Sequence, residues 1–207
     1  MITDMDEDVG DLLDLLAALG IEQNTLVIFT SDNGPWQGIA TPVEFFDSNG
    51  KLRGGKRGMY EGGLRVLFVA RWKGVITPSS VTDHVVAFWD IMPTIADMVG
   101  YPAQFETDGL SFWPVLRGTP GLAREHEYLY WDYGHVRDVF MQAVLWGYYK
   151  GIEYHQDGSR RFELYDLARD PGEVHDIATS HPSVVGQIQD IMDAAYDYDP
   201  NYPRKGL

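Results

Sequence analysis

Residues 25–36, TLVIFTSDNGPW, decide the fold class, because a continuous apolar run stops there at polar turn residues. Residues 25–29 are apolar or β-branched, and such a run predicts a strand that is covered on both faces. A strand of this kind indicates an α/β sheet. In such sheets ligands bind beyond the carboxyl ends of the strands, and Asp32 and Asn33 lie just past this end.

Asp32 and Asn33 are therefore candidate metal ligands. Their side chains offer a carboxylate and an amide oxygen, which suit Ca²⁺ or Mg²⁺ better than zinc. Two oxygens are a minority of the roughly 6 to 8 that Ca²⁺ takes. Asp-Asn-Gly is also common turn chemistry, so the residues alone leave a plain Asx turn as the alternative.

The composition narrows the classes of function. The 207 residues contain no cysteine, which excludes disulfides, thiolate metal sites and a cysteine nucleophile. The six histidines show no spacing such as H-x-x-x-H, so they are assigned no chemistry, and a structural role is preferred for His84. We expect no signal peptide and no membrane contact, because no leader pattern follows Met1 and no apolar run approaches about 18 residues.

The charge changes sign along the chain. Residues 1–50 contain no lysine or arginine but ten acids: Asp4, Asp6, Glu7, Asp8, Asp11, Asp14, Glu22, Asp32, Glu44 and Asp47. Residues 51–73 then carry one acid, Glu61, and seven basic residues: Lys51, Arg53, Lys56, Arg57, Arg65, Arg71 and Lys73. A solvated acidic helix beside a solvated basic loop is the ordinary explanation. The functional alternative is a basic loop that receives an anion near carboxylates that hold a cation.

Nucleic acid is a poor partner for this chain. The net charge is −15, and no aromatic stacking pattern accompanies the basic stretch.

The hydrophobic pattern divides the chain into two parts. The first begins with a helix that ends at Gly20, followed by the strand at residues 25–29, a long loop at 35–57 and strand character at 64–72. Residues 85–100 predict an amphipathic helix that Pro93 interrupts, with a second helical segment from Thr94.

The second part starts near Ser111. Strand-like segments at residues 127–133, 142–150 and 161–167 predict a small antiparallel sheet. The tetrad DPGE at residues 170–173 predicts a type II turn, with proline at its second position and glycine at its third. A last helix from Pro182 carries apolar residues on one side, which predicts that it packs on this sheet.

The glycine-rich segment at residues 52–66, LRGGKRGMYEGGLRV, is a second candidate site. Paired glycines let the backbone approach a ligand closely, and Lys56 is a mobile positive charge for an anionic oxygen. Taken alone, these residues are more typical of an ordinary flexible loop. The segment is not a P-loop, since it lacks the upstream glycine and the Ser or Thr after lysine.

Four stretches, in this order, resemble the type I sulfatases, or arylsulfatases, of the alkaline phosphatase superfamily: residues 24–36, 48–66, 84–100 and 163–173. The resemblance spans almost the whole chain. It implies that residues 1–110 form the C-terminal part of the catalytic α/β domain, with part of an alkaline-phosphatase-like sheet sandwiched by helices. Residues 111–207 then form a small C-terminal α+β subdomain, with the antiparallel sheet and its packed helix.

The resemblance also implies roles for single residues. Asp32 and Asn33 correspond to the pair that binds the active-site Ca²⁺, and Lys56 corresponds to a lysine that contacts the substrate sulfate. The nucleophile of the family is a formylglycine made from Cys or Ser in a Cys/Ser-x-Pro-x-Arg motif. The chain has no such motif, because it lacks cysteine and its nearest string, at residues 180–184, ends in Val184 instead of arginine.

The sequence therefore predicts the C-terminal portion of a sulfatase, with an incomplete calcium site and no formylglycine. We expect it not to hydrolyse sulfuric esters alone, and to need a complementing N-terminal half or to self-associate. The resemblance implies a sulfated small molecule or glycan as substrate of the complete enzyme, which is often periplasmic, secreted or lysosomal. The alternatives are a non-catalytic α/β binding module and a phosphoryl or phosphonate ester hydrolase of the same superfamily.

Overall fold

The computed structural model describes residues 2–38, 43–101, 106–133 and 139–201 and divides into two compact units. The first unit comprises residues 1–30 and 67–126, and the second comprises residues 31–66 and 127–207. Each unit is thus built from two separate stretches of chain. The assignment of domains to residues 1–110 and 111–207 stays a prediction.

The first unit opens with helix α1 (Ile2–Ala18), which is followed by Gly20 at φ +68°, as predicted. A 3₁₀ turn (Glu22–Asn24) leads to strand β1 (Val27–Thr30), which pairs antiparallel with β2 (Phe68–Arg71). The strand begins two residues later than predicted, because the Thr25 hydroxyl still donates a hydrogen bond to the carbonyl of Ile21 (2.9 Å).

Helix α1 is amphipathic, yet none of its described residues is buried. Ile2, Leu12 and Leu15 are among its exposed apolar side chains. The apolar spacing thus predicted the helix correctly but not the exposure of its apolar face. None of the helices in the described ranges combines the length and the hydropathy that crossing a bilayer requires.

The region around Pro93 differs from the prediction. A 3₁₀ turn (Phe88–Asp90) passes directly into α4 (Ile91–Met98), so Pro93 does not interrupt the helix. It lies in the first turn, where its missing N–H would have had no intrahelical acceptor. The predictions of a helix from residue 85 and of a new segment from Thr94 are therefore wrong.

Asp90 holds the start of α4. Its buried carboxylate accepts hydrogen bonds from the backbone N–H groups of Ala87 (2.7 Å) and Leu110 (2.8 Å). His126 Nε2 lies 2.8 Å from Asp90 Oδ1. The carboxylate therefore links three stretches of the first unit.

The second unit contains a four-stranded antiparallel sheet in sequence order, formed by β3 (Leu129–Tyr133), β4 (Val139–Trp146), β5 (Tyr149–Gln156) and β6 (Ser159–Asp166). The antiparallel sheet is confirmed. The prediction of one strand at residues 142–150 is wrong, because the chain reverses at Gly147, which takes φ +58°. The next hairpin turns at Asp157-Gly158, both at positive φ, as a type I′ turn requires.

Helix α6 (Pro182–Ala195) packs on one face of this sheet, as predicted. The contact is a buried apolar cluster made of Val144, Leu164, Ile188, Ile191 and Met192. Gly151 permits the close approach, because a Cβ there would lie 2.6 Å from Ile188 Cγ2. The opposite face packs a second cluster, which contains Met59, Ala143, Ile152 and Tyr165.

The remaining elements are single turns. They are the helices α2 (Val43–Phe46), α3 (Glu61–Leu64) and α5 (Trp113–Leu116) and the 3₁₀ turns Pro120–Leu122 and Ala178–Ser180. The turn at residues 170–173 closes through a hydrogen bond from the Glu173 N–H to the Asp170 carbonyl (3.1 Å). Its positive φ belongs to Glu173 (+51°) and not to Gly172, so the predicted type II geometry is wrong.

Candidate functional site

Asp32 and Asn33 lie in a turn whose hydrogen bonds do not use their side-chain oxygens. Ser31 Oγ donates to the Asn33 carbonyl (2.9 Å), and Asn33 Nδ2 donates to the Gly34 carbonyl (2.9 Å). Within the described ranges, no group donates to Asn33 Oδ1 or to the exposed carboxylate of Asp32. The Asx-turn alternative is therefore not what the turn forms. The Asp32 carboxylate and Asn33 Oδ1 are thus hard oxygen donors without a partner in the part of the chain that the structure describes.

Two backbone hydrogen bonds bring the glycine-rich segment to this turn. The Gly34 N–H donates to the Gly63 carbonyl (2.9 Å), and the Lys56 N–H donates to the Pro35 carbonyl (2.9 Å). The Lys56 side chain is half-buried, and its ammonium has no ion pair with any residue that the structure describes. The structure thus brings all three predicted site residues to adjoining segments of the second unit.

The glycines of this segment are required for packing between backbones. A Cβ on Gly34 would lie 1.7 Å from the Gly62 carbonyl oxygen, and a Cβ on Gly63 would lie 2.3 Å from that of Gly58. A Cβ on Gly55 would lie 2.6 Å from the Pro35 carbonyl oxygen. The expectation of an ordinary flexible loop is therefore wrong, and the glycines serve close contact with other protein backbone.

A buried ion group lies within the same unit. Lys150 on β5 is fully buried, and its Nζ is 2.7 Å from Glu61 Oε1 and 3.2 Å from Glu173 Oε1. Glu173 is also fully buried, and its Oε2 accepts a hydrogen bond from the Glu61 N–H (2.7 Å). We call these three residues the Lys150 triad. Burial raises the pKa of the Glu173 carboxyl, although the charge of Lys150 acts in the opposite direction.

Tyrosines and one arginine extend this polar contact. Tyr60 and Tyr165 both donate from their hydroxyls to Glu163 Oε2, at 2.7 and 2.9 Å. The Arg53 guanidinium carbon lies 4.0 Å from the centre of the Tyr60 ring and donates through Nη1 to the Glu173 carbonyl (2.8 Å). Burial raises the pKa of the Tyr60, Tyr154 and Tyr165 hydroxyls, so they remain protonated donors.

The sequence did not predict the Lys150 triad. Its signals are a lysine at the end of a strand-like run and a glutamate in each of two turn-rich motifs, at residues 61 and 173. Nothing in local spacing pairs residues that are 89 and 112 positions apart. Of the histidines, His126 and His155 contact buried carboxylates, those of Asp90 (2.8 Å) and Glu153 (2.6 Å).

The donor set fits a hard cation and an anion but is not complete. Asp32 and Asn33 supply oxygen ligands of the kind that Ca²⁺ and Mg²⁺ prefer, and Lys56 supplies an unpaired positive charge. In the described parts of the chain, no three or more His, Asp or Glu side chains are grouped as a metal shell. The pair is thus at most part of a metal site.

Comparison with protein families gives two matches that together span most of the chain. The family described as N-sulphoglucosamine sulphohydrolase, C-terminal, matches residues 54–195. The family described as Sulfatase matches residues 1–101.

Curated relatives agree with these matches. The chain is 32% identical to arylsulfatase A of Homo sapiens, in an alignment that covers 99% of the chain and 45% of the relative. It is 32% identical to steryl-sulfatase of Rattus norvegicus, over 94% of the chain and 38% of the relative. The chain therefore spans less than half the length of these relatives.

Solved structures show the same fold. A protein in complex with its substrate D-glucosamine-2-N,6-O-disulfate matches with a TM-score of 0.74 and 23% identity, over 94% of this chain and 38% of that one. A protein in complex with k-i-k-neocarrahexaose matches with a TM-score of 0.76 and 23% identity, over 99% of this chain and 44% of that one. The phosphonate monoester hydrolase of Agrobacterium radiobacter matches with a TM-score of 0.68 and 23% identity, over 94% of this chain and 40% of that one. The predicted alkaline-phosphatase-like α/β class is confirmed.

Proposed function

The chain belongs to the sulfatase family, and we propose that it supplies the Asp32-Asn33 metal ligands and the Lys56 anion contact of a sulfuric ester hydrolase. The observation that carries this proposal is that the Asp32 carboxylate, Asn33 Oδ1 and the Lys56 ammonium have no protein partner among the described residues. Exposed or half-buried polar groups without protein partners, on adjoining rigid segments, are free to bind a ligand.

The proposed roles of Asp32, Asn33 and Lys56 follow from the chemistry of their side chains. The Asp32 carboxylate and Asn33 Oδ1 would hold a calcium ion, which when bound polarises a sulfate oxygen. Lys56 would place a positive charge against the sulfate group, where negative charge develops during ester cleavage. A sulfated small molecule or glycan is the proposed substrate class, which agrees with the sulfated glucosamine bound by one structural neighbour.

We propose that residues 1–207 do not turn over substrate on their own. Their two oxygen ligands are a minority of a calcium shell, and the chain contains neither cysteine nor a Ser-x-Pro-x-Arg string. Ser180, in the nearest string, donates instead to the Ile177 carbonyl (2.9 Å) in the 3₁₀ turn that precedes α6. Activity therefore requires a nucleophile supplied by a further sulfatase segment or partner.

Calorimetric titration with calcium chloride tests the metal site. We expect weak binding, with a Kd of about 10⁻⁴ to 10⁻³ M or weaker, that Asp32→Ala abolishes. Asp11→Ala removes an exposed acid from α1 and is the matched control, which should bind as the unmodified chain does. Equal binding by the Asp32→Ala variant would contradict the assignment.

Titration with inorganic sulfate and with inorganic phosphate tests the anion site and the choice between ester classes. Lys56→Ala should lose sulfate binding, whereas Lys51→Ala, at an exposed lysine of the same loop, should retain it. A clear preference for phosphate would favour the phosphonate ester alternative, which the structural likeness to a phosphonate monoester hydrolase raises. Binding without turnover in any assay agrees with the non-catalytic module.

An aryl sulfate assay tests the absence of independent catalysis. We expect no turnover by the purified chain. Turnover that survives repurification and disappears in Lys56→Ala would show that the chain is an enzyme by itself.

A further inference from the structure

The Lys150 triad lies between the C-terminal sheet and the segment that carries Lys56. Lys150 belongs to β5, Glu61 begins α3 within the glycine-rich segment, and Glu173 closes the turn after β6. Lys150 and Glu173 are fully buried, so neither contacts a substrate. Any effect of the triad on a ligand is therefore exerted through the residues that it contacts.

We propose that the Lys150 triad positions the proposed anion and metal site. The C-terminal sheet, which carries Lys150, then helps to fix the geometry of that site. The connection is short. Glu61 is fixed by Lys150 Nζ at its side chain (2.7 Å) and by Glu173 Oε2 at its backbone N–H (2.7 Å). Two residues later, the Gly63 carbonyl accepts the hydrogen bond of the Gly34 N–H (2.9 Å), next to Asn33.

The composition of residues 53–64 explains why polar contacts are needed to fix the position of this segment. Apart from glycine, Met59 is the one buried side chain of this described segment. Five of its twelve residues are glycine, and they bury little apolar area. Hydrophobic contact of the segment is therefore limited to Met59 and to the partly buried Tyr60 and Leu64. The Lys150–Glu61 ion pair and the hydrogen bond from the Glu61 N–H to Glu173 are directional and add the contacts that fix its position.

The role in positioning can be measured without any ligand, by amide hydrogen exchange on the full chain. Glu61→Gln keeps the size of the side chain but removes its charge, and Lys150→Met removes the central cation. Both should speed exchange of the Gly34 and Lys56 amides about tenfold or more, relative to the Val144 amide in the centre of the sheet. Lys150→Arg, which keeps the charge, should restore part of the protection.

Glu153→Gln is the matched control, because Glu153 is a buried carboxylate that contacts α6 through Gln189 rather than the glycine-rich segment. It should leave the exchange ratio of Gly34 to Val144 unchanged. A uniform increase at Gly34 and Val144 in the triad variants would show a purely stabilising role and overturn the proposal. Unchanged Gly34 exchange in a folded Glu61→Gln variant would overturn it as well.

The consequence for ligand binding rests on the proposed function, and its failure has a different signature. If the unmodified chain binds neither Ca²⁺ nor inorganic sulfate while the Gly34 amide still responds to Glu61→Gln, the positioning stands and the proposed ligands are wrong. If it binds them, Glu61→Gln should weaken binding of both about tenfold, and Glu153→Gln should not.

Discussion

The two faces of the four-stranded sheet are held by different forces. One face packs α6 through side chains that are apolar and fully buried, such as Val144, Leu164 and Ile188. The other face packs the glycine-rich segment, which contributes the buried Met59 and the partly buried Tyr60 and Leu64 and is also held by the Lys150 triad and by a hydrogen bond to Glu163. A helix presents a continuous apolar stripe, so buried area is enough to fix it. A segment rich in glycine has no such stripe and is fixed by paired polar groups.

Two of the buried glutamates of this unit, Glu153 and Glu173, show the same contrast. Glu153 accepts hydrogen bonds from Gln142 (2.8 Å) and Arg160 (2.6 Å), and His155 lies 2.6 Å from it. Although burial alone raises the pKa of Glu153, these partners lower it below the usual value. Glu173 has one lysine, one backbone donor and a second carboxylate nearby, so the effect of burial prevails and its pKa is raised. Hence one carboxylate is stabilised as the anion and the other is not.

The largest expected effect is that of Lys150→Met. Removal of the cation leaves Glu61 and Glu173 without their partner. The free energy of unfolding, measured by urea titration, should therefore fall by about 3 to 5 kcal/mol. The triple variant Lys150→Met/Glu61→Gln/Glu173→Gln removes every charge and should recover most of this loss. Equal destabilisation of the single and triple variants would show that packing, and not charge, holds this face.

Ile188→Ala tests the helix face. The side chain is fully buried against the sheet, so its truncation should lower the free energy of unfolding by about 3 kcal/mol. Exchange of the Gly34 amide relative to Val144 should not change. Val174→Ala, at a residue with 71% exposure, is the control and should remain within about 0.5 kcal/mol. A selective loss of Gly34 amide protection in Ile188→Ala would contradict the claim that different interactions hold the two faces of the sheet.

Opposite pH dependence is expected for Glu153→Gln and Glu173→Gln. The lowered pKa of Glu153 contributes stability above about pH 4.5, and this contribution is lost as the pH falls through its folded-state value. The raised pKa of Glu173 contributes stability below about pH 4.5, and this contribution is lost as the pH rises through its folded-state value. Relative to each Gln variant, the unmodified chain should therefore gain stability with pH in the first case and lose it in the second.

Urea unfolding between about pH 3 and pH 8 measures these differences, at roughly 1.4 kcal/mol for each pKa unit. Parallel curves for the two variants would contradict the assignment of a favourable environment to Glu153 and an unfavourable one to Glu173.

The smallest effect on stability is expected for Lys56→Ala. Its ammonium has no ion pair among the described residues, so the free energy of unfolding should change by less than about 0.5 kcal/mol. Thermal unfolding at fixed salt measures this change, with Lys51→Ala as the reference. A loss comparable to that of Lys150→Met would show that Lys56 is a structural residue, which would weaken its assignment to an anion.

Local pattern was enough for the regular elements. Apolar spacing located α1 and α6, and turn residues separated most strands of the antiparallel sheet. It failed where one residue changes the chain direction without a break in hydrophobicity, as at Gly147 within residues 142–150. It failed at Pro93 because a proline in the first turn of a helix resembles a helix breaker in the sequence.

For the candidate site, the sequence predicted Asp32, Asn33 and Lys56 as binding residues, partly from residue type and position after a strand or between glycines and chiefly from the resemblance to sulfatases. It could not identify what holds them. Glu61, Lys150 and Glu173 come together only because the sheet brings β5 and the turn after β6 against α3, over separations of 89 and 112 residues. A buried ion group depends on distance in space, and local sequence encodes only distance along the chain.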